Sequence, residues 1–192
     1  MKIRQEQKLQ TRRKILDTAF RLYALGGFSV PTSQIAREAG VSHGAIFVHF
    51  PTREAMQFEV LECFTRELGN KLHDLSKNGA HIRELLYAHI GILEEYESFY
   101  KKLISEISAL PEGTRTMILT LQSITSFHFD AVIEREKQRK RIKDIPLHML
   151  FNTWMGLLHY YLQNSELFAP GESVLKQRKD ELVHAFLSLI IT

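Results

Sequence analysis

"TSQIAREAGVSHGAIFVHF", Thr32 to Phe50, decides how this chain is read. Ile35, Ala36 and Ala39 follow one another with helical spacing, Gly40 interrupts them, and Ile46 and Phe50 resume the pattern after Ser42. Gly40 stands where a tight turn between two short helices needs a positive φ. Ser42 stands where a hydroxyl can cap the second of those helices. Ala36 is small where the two would cross. Upstream, Ile15, Ala19 and Leu22 make the apolar stripe of a first helix on which both can pack. Three helices in this order are the grammar of a helix-turn-helix, whose last helix lies in the major groove of DNA. In this reading Ile46 and Phe50 point inward, while His43, Gly44, Phe47 and Val48 face out. The same arrangement also serves as a plain packing unit, so its partner has to be argued from further features.

Charge is one of them. The chain of 192 residues carries a net +3, but residues 1–60 hold nine Lys/Arg against five Asp/Glu, and the remainder is slightly acidic. The positive field is local to the helix-turn-helix, where a polyanion is attracted. The bland alternative is a solvated basic helix end. One cysteine, Cys63, excludes an intramolecular disulfide framework and fits a reducing compartment. No apolar run reaches the roughly 18 residues of a membrane span, and the amphipathic "ILDTAF" after the basic start is no signal segment. These features predict a cytoplasmic protein.

Glycines and prolines fall between segments of helical period, and no stretch alternates with period two. The expectation is an all-α chain of about nine helices, near residues 5–25, 31–39, 42–49, 53–75, 80–95, 97–109, 112–142, 146–164 and 173–191. Thr11 is a candidate cap for the main part of the first helix, and Thr52 for the fourth. A domain boundary is placed at Pro51, giving a DNA-binding domain over residues 1–51 and an effector-binding and dimerisation domain over residues 52–192.

"TRRKILDTAFRLYALGGF" followed by "TSQIAREAGVSHGAIFVHFPTREAM" resembles the N-terminal domain of the TetR (tetracycline repressor) family of bacterial transcriptional regulators. The resemblance rests on Ile15, Leu16, Ala19, Phe20, Gly27, Phe28, Ile35, Ala36, Ala39, Gly40, Val41, Ser42, Gly44, Phe47, Phe50, Arg53 and Glu54. It implies a DNA-binding role for eleven positions. Thr32 and Ser33 would meet phosphate at the start of the second helix. Ser42 would cap the recognition helix and touch phosphate. His43, Gly44, Ala45 and Val48 would face the groove, with Ala45 and Val48 against thymine methyls. Phe47 holds the place of the family's usual Tyr, without its hydroxyl. His49 and Arg53, the latter where Lys is usual, would hold the DNA backbone, and Arg12 would add a phosphate contact from the first helix. Base readout would then lean on shape and phosphates more than on hydrogen bonds.

Beyond residue 52 the resemblance covers only helix number and layout. It implies that the two last long helices form a four-helix bundle across a two-fold axis, through Phe151, Trp154, Leu158, Tyr161, Leu182, Phe186 and Leu189. Gly156 and Ala185 permit close helix approach. Ordinary core is the other reading of these apolar residues. In the middle helices His89, Tyr96, Phe99, Leu121, Phe127 and His128 are candidates for an apolar effector pocket with a few polar handles. The plainer reading of them is as core aromatics and hydrogen-bonded core histidines. The basic run Arg135, Lys137, Arg139, Lys140, Arg141 and Lys143 reads as a solvated helix end.

No metal cluster, cofactor motif, phosphate loop or nucleophile beside a base is present in the sequence, so no metal, no cofactor and no enzyme activity is expected. The whole predicts a homodimeric, ligand-responsive transcriptional regulator. It would be a repressor released from a palindromic double-stranded operator by a small, largely apolar effector. A helical interaction protein whose helix-turn-helix no longer binds DNA is the alternative, and an activator, or a regulator answering to a protein partner instead of a small molecule, is a third.

Overall fold

Apolar stripes at helical spacing fold as predicted into an all-α chain. The computed structural model describes residues 2–139 and 141–192. Its helices are α1 (Lys2–Gly26), α2 (Thr32–Ala39), α3 (His43–His49), α4 (Arg53–Lys77), α5 (Ile82–Glu95), α6 (Glu97–Glu106), α7 (Glu112–Gln138), α8 (Leu147–Gln163), α9 (Ser165–Phe168) and α10 (Val174–Ile190), with a 3-10 turn at Ile107–Ala109. Among the described residues the sole β feature is an isolated antiparallel bridge between Ile142 and Ile191.

Two compact units divide the chain. The first comprises the residues up to Thr65 together with Ser98–Ile118. Its core is built by Ile15, Ala19 and Leu22 of α1, Ile35, Ala36 and Ala39 of α2, and Ile46 and Phe50, all buried. Phe99 of α6 stacks on Phe20 at 4.3 Å between ring centroids and lies beside Phe28 at 5.5 Å. The second unit comprises Arg66–Glu97 and Leu119–Thr192. There α10 packs on α5 and α8 around Trp154, Leu158, Leu182 and Phe186, which are at most 1% exposed. The start of α10 is held by the Glu97 carboxylate, which accepts from the Ser173 hydroxyl and the amides of Val174 (3.1 Å) and Leu175 (3.2 Å). A carboxylate there satisfies amides that have no acceptor inside the helix.

Three local expectations change. Thr11 does not start a helix: α1 runs through it, and its hydroxyl donates back to the Gln7 carbonyl at 2.9 Å. α7 ends at Gln138 rather than near 142, because Ile142 is drawn into the bridge with Ile191. "SELF" forms the additional helix α9, a single turn too short for a periodic signal. Lys140 of the basic run lies outside the described residues.

Candidate nucleic-acid interface

The turn between α2 and α3 takes the form its residues dictate. Gly40 has φ 63°, and its amide and that of Val41 close the end of α2 on Arg37 and Ala36 carbonyls. Ser42 caps α3, its Oγ accepting from the Ala45 amide at 3.2 Å. Thr52 does the same for α4 through the Ala55 amide at 3.1 Å. Capping and turn fix the rotation of α3, so that Ile46 and Phe50 are buried and the opposite face is left open.

That open face carries His43, Gly44, Phe47 and Val48, with Phe47 45% and Val48 71% exposed. Ala45 and His49 are half-buried at its margins, and Ser33 and Ser42 are exposed beside it. The Thr32 hydroxyl and His43 Nε2 lie 2.9 Å apart, and the His43 ring meets Phe47 edge-on at 5.3 Å. His43 is thereby positioned by α2 and by its own helix. Partial burial, then the charges of Lys8 and Arg12, depress the pKa of His49.

Two of the eleven residues are engaged elsewhere. Arg12 binds both oxygens of Glu59 and the carbonyl of His49, and its guanidinium lies 4.3 Å from the centre of the Phe50 ring. It ties α1 to α4 and to the end of the recognition helix. Arg53 donates to the carbonyl of Phe28, which also accepts from Gln57 Nε2 at 2.9 Å. The amide of the same residue donates to Glu106 Oε2 at 2.8 Å. Phe28 is therefore held at both its polar backbone atoms by side chains of α4 and α6. Glu59, Gln57 and Glu106 carry this framework and escape a sequence reading, since nothing local in "FEV" or "ISE" announces a partner decades of residues away.

The helix-turn-helix region is similar to a known group of proteins. The family model described as bacterial regulatory proteins, tetR family, matches residues 15–60. The uncharacterized HTH-type transcriptional regulator YerO of Bacillus subtilis (strain 168) is 27% identical to this chain over 91% of the chain's length. The chain spans 65% of the length of YerO. A TetR-family transcriptional regulator from Agrobacterium tumefaciens superposes with a TM-score of 0.82 at 21% identity, covering 96% of this chain and all of that one. A transcriptional regulator from Saccharomonospora viridis, solved in complex with choline, gives 0.80 at 20% identity, covering 95% and 98%. At these identities the two structures share the fold.

The residues expected at the other two sites are distributed differently from the expectation. Phe151, Trp154, Leu158, Leu182 and Phe186 are buried in the second unit's own core, the ordinary-core position that the sequence also allowed them. Their stripes face the protomer because α8 and α10 must first cover each other and α5. Tyr161 is half-buried, stacked on Phe168 at 4.2 Å, and Leu189 is exposed. The outward face of these helices instead carries Met149, Gly156, Tyr160, Ala185 and Leu189.

The effector candidates do not converge. Phe99 belongs to the first unit's aromatic core, and Phe127 is 69% exposed. Leu121 is buried and Tyr96 half-buried. His89 accepts from Trp154 Nε1 at 3.0 Å, and His128 pairs with the Ser76 hydroxyl at 3.0 Å. Both histidines have the core reading. Burial holds the pKa of His89 down at about 4, and that of His128 below the usual value. Among the described residues no group of three or more His, Cys, Asp or Glu side chains is placed to hold a metal ion, and no helix is long and apolar enough to cross a membrane.

Proposed function

We propose that the chain is a homodimeric transcriptional regulator acting in the cytoplasm. Residues 1–51 bind a palindromic operator, and residues 52–192 bind a small effector and form the dimer. The observation that carries this reading is the outward face of α3. Val48 and Phe47 leave 71% and 45% of their surface in solvent and a Cβ on Gly44 would meet nothing within 4 Å, yet the helix that bears them is capped by Ser42 and anchored by Ile46 and Phe50. Thr32, Ser33, Ser42, His43, Ala45 and His49 surround that face with groups suited to phosphates and base edges. Arg12 and Arg53 act there as positioning residues.

Repression relieved by ligand is the mechanism we favour. Two arrangements of the dimer exchange, and effector stabilises the one that fits the operator poorly. By linkage, operator must then weaken effector binding by the same factor. The choline complex of the Saccharomonospora viridis protein supports a ligand-binding role for this fold. Enzyme activity, metals and cofactors have no part in the proposal.

The test is fluorescence anisotropy with duplexes tiled across the DNA upstream of the protein's own gene, at two salt concentrations. Selective binding that weakens steeply with salt, and is lost in Val48→Asp, is the expected result. A second reading draws on Arg12 and Arg53, whose guanidinium groups are turned inward: a helix-turn-helix kept for packing. Weak, salt-insensitive binding that is alike on every duplex and unchanged by Val48→Asp would favour it and sink the first.

A further inference from the structure

Arg141 of the basic run, which DNA binding leaves unused, closes one side of a cavity of about 370 Å³ within the second unit, together with Glu136 and Ile142. The opposite wall is the start of α5, where His81, Ile82 and Arg83 line it. The bridge between Ile142 and Ile191 secures the floor, reinforced by the Lys143 amide on the Ile190 carbonyl at 2.8 Å and the Thr192 amide on the Arg141 carbonyl at 3.3 Å. Ile191, 43% exposed, is the apolar side chain the floor leaves open, with Ile142 and Leu187 nearly buried beneath it.

The rim is cationic. Glu136 is the single acidic side chain among the lining residues. It is 5% exposed and already engaged, by His81 Nδ1 at 2.9 Å, Arg139 at 3.4 Å and Arg141 at 3.7 Å. One carboxylate shared three ways leaves Arg141 under-neutralised, and its guanidinium sits 3.2 Å from His81 Nδ1, a poor acceptor for it. Arg83 is exposed on the other wall. The start of α5 is itself capped, the Glu84 carboxylate accepting from the His81 amide at 2.8 Å, so the positive potential of the rim comes from the arginines.

An apolar floor with an open isoleucine, beneath a rim of incompletely neutralised arginines, is complementary to a molecule of two parts. We infer that this cavity binds an amphipathic monocarboxylate, its carboxylate between Arg83 and Arg141 and its short alkyl chain on Ile191, above Ile142 and Leu187. Guanidinium groups take carboxylates in paired hydrogen bonds, and the volume is at the small end of the range of ligand sites. The inference does not depend on the DNA-binding reading, and its residues are separate from the effector candidates.

Octanoate is the probe, titrated into the full-length protein below its micelle threshold and followed by calorimetry and by methyl NMR of the isoleucine and leucine side chains. The expected result is saturable binding, with shifts at Ile142, Leu187 and Ile191. 1-Octanol and inorganic phosphate, each carrying half of the chemistry, should not saturate these positions. Arg141→Gln should weaken octanoate about tenfold or more, as the loss of a charge-assisted hydrogen bond implies. Because Arg141 also serves Glu136, Arg83→Gln is the companion variant: it leaves every partner of Glu136 in place and should weaken octanoate in the same direction. Shifts confined to other methyls, equal binding of 1-octanol, or unchanged affinity in a folded Arg83→Gln protein would overturn the assignment.

Discussion

Gly44 lacks a side chain for no reason internal to the protomer. It occupies the first turn of α3, and a Cβ built on it meets nothing within 4 Å. Glycine in a helix costs roughly 0.5–1 kcal/mol relative to alanine, so Gly44→Ala should stabilise the folded chain by up to about that amount. The same substitution should weaken operator binding, because the methyl group stands where DNA backbone or a base edge would approach. Thermal unfolding and anisotropy on one protein sample separate the two effects. A raised Tm with unchanged DNA affinity would show that Gly44 faces no ligand. At this scale the sequence was legible wherever the chemistry is local. Ser42 as cap, Gly40 at positive φ, and Ile46 and Phe50 turned inward all follow from spacing within a few residues. Arg12 was not, because its partner Glu59 lies 47 positions away and the pair exists only once α1 and α4 have crossed. A lone basic residue in a basic helix looks like a phosphate contact until its acceptor is known.

Among the elements, α6 has the most consequential attachment. Its last residue, Glu106, accepts the Phe28 amide, and a Cβ on Gly27, whose φ is 76°, would run into the same carboxylate. The α1–α2 connection is therefore shaped around Glu106. Glu106→Ala should accelerate hydrogen exchange of the Phe28 amide selectively and lower stability by about 1–2 kcal/mol, the cost of a charge-assisted bond at a partly buried site. If that amide exchanges at the wild-type rate, the clamp does not exist in solution. The packing of α5 on α8 gives a prediction in pH. His89 is neutral against Trp154 Nε1, and its pKa is pushed to about 4 from 6.5. The unfolded chain thus takes up this proton first as pH falls. The contribution of His89 is fully present above pH 6.5, is lost between 6.5 and about 4, and changes no further below that. Urea midpoints across that window should fall more steeply for wild type than for His89→Gln, and parallel curves would contradict the assignment. The helices themselves were readable from period alone. What period cannot tell is which buried stripe faces its own bundle and which faces a second molecule, so the apolar stripes of α8 and α10 admit both readings in sequence.

For the molecule as a whole, the outward face of α8 and α10 decides between a monomer and a dimer. Met149 and Tyr160 are half or more exposed, with Gly156 between them on the same side of α8, and Leu189 and Ala185 lie on the outer side of α10. A Cβ on Gly156 meets nothing within 4 Å in the protomer. In a monomer, Gly156→Glu would therefore do no more than remove a helix penalty of about 1 kcal/mol and raise stability. Across a two-fold axis the same change places two carboxylates near each other in an apolar contact, where burial and repulsion both oppose association. The expected outcome is a helical, folded protein whose mass by light scattering falls from twice the chain mass to once. Operator affinity should fall with it. A dimer holds its second recognition helix at a high effective concentration over the other half-site, an advantage on the order of 10²–10⁴, whereas a monomer binds a palindrome little better than one half of it. A Gly156→Glu protein that remains a dimer would move the interface to another face. Monomeric wild type that still binds a palindrome tightly would detach the DNA-binding proposal from dimerisation altogether.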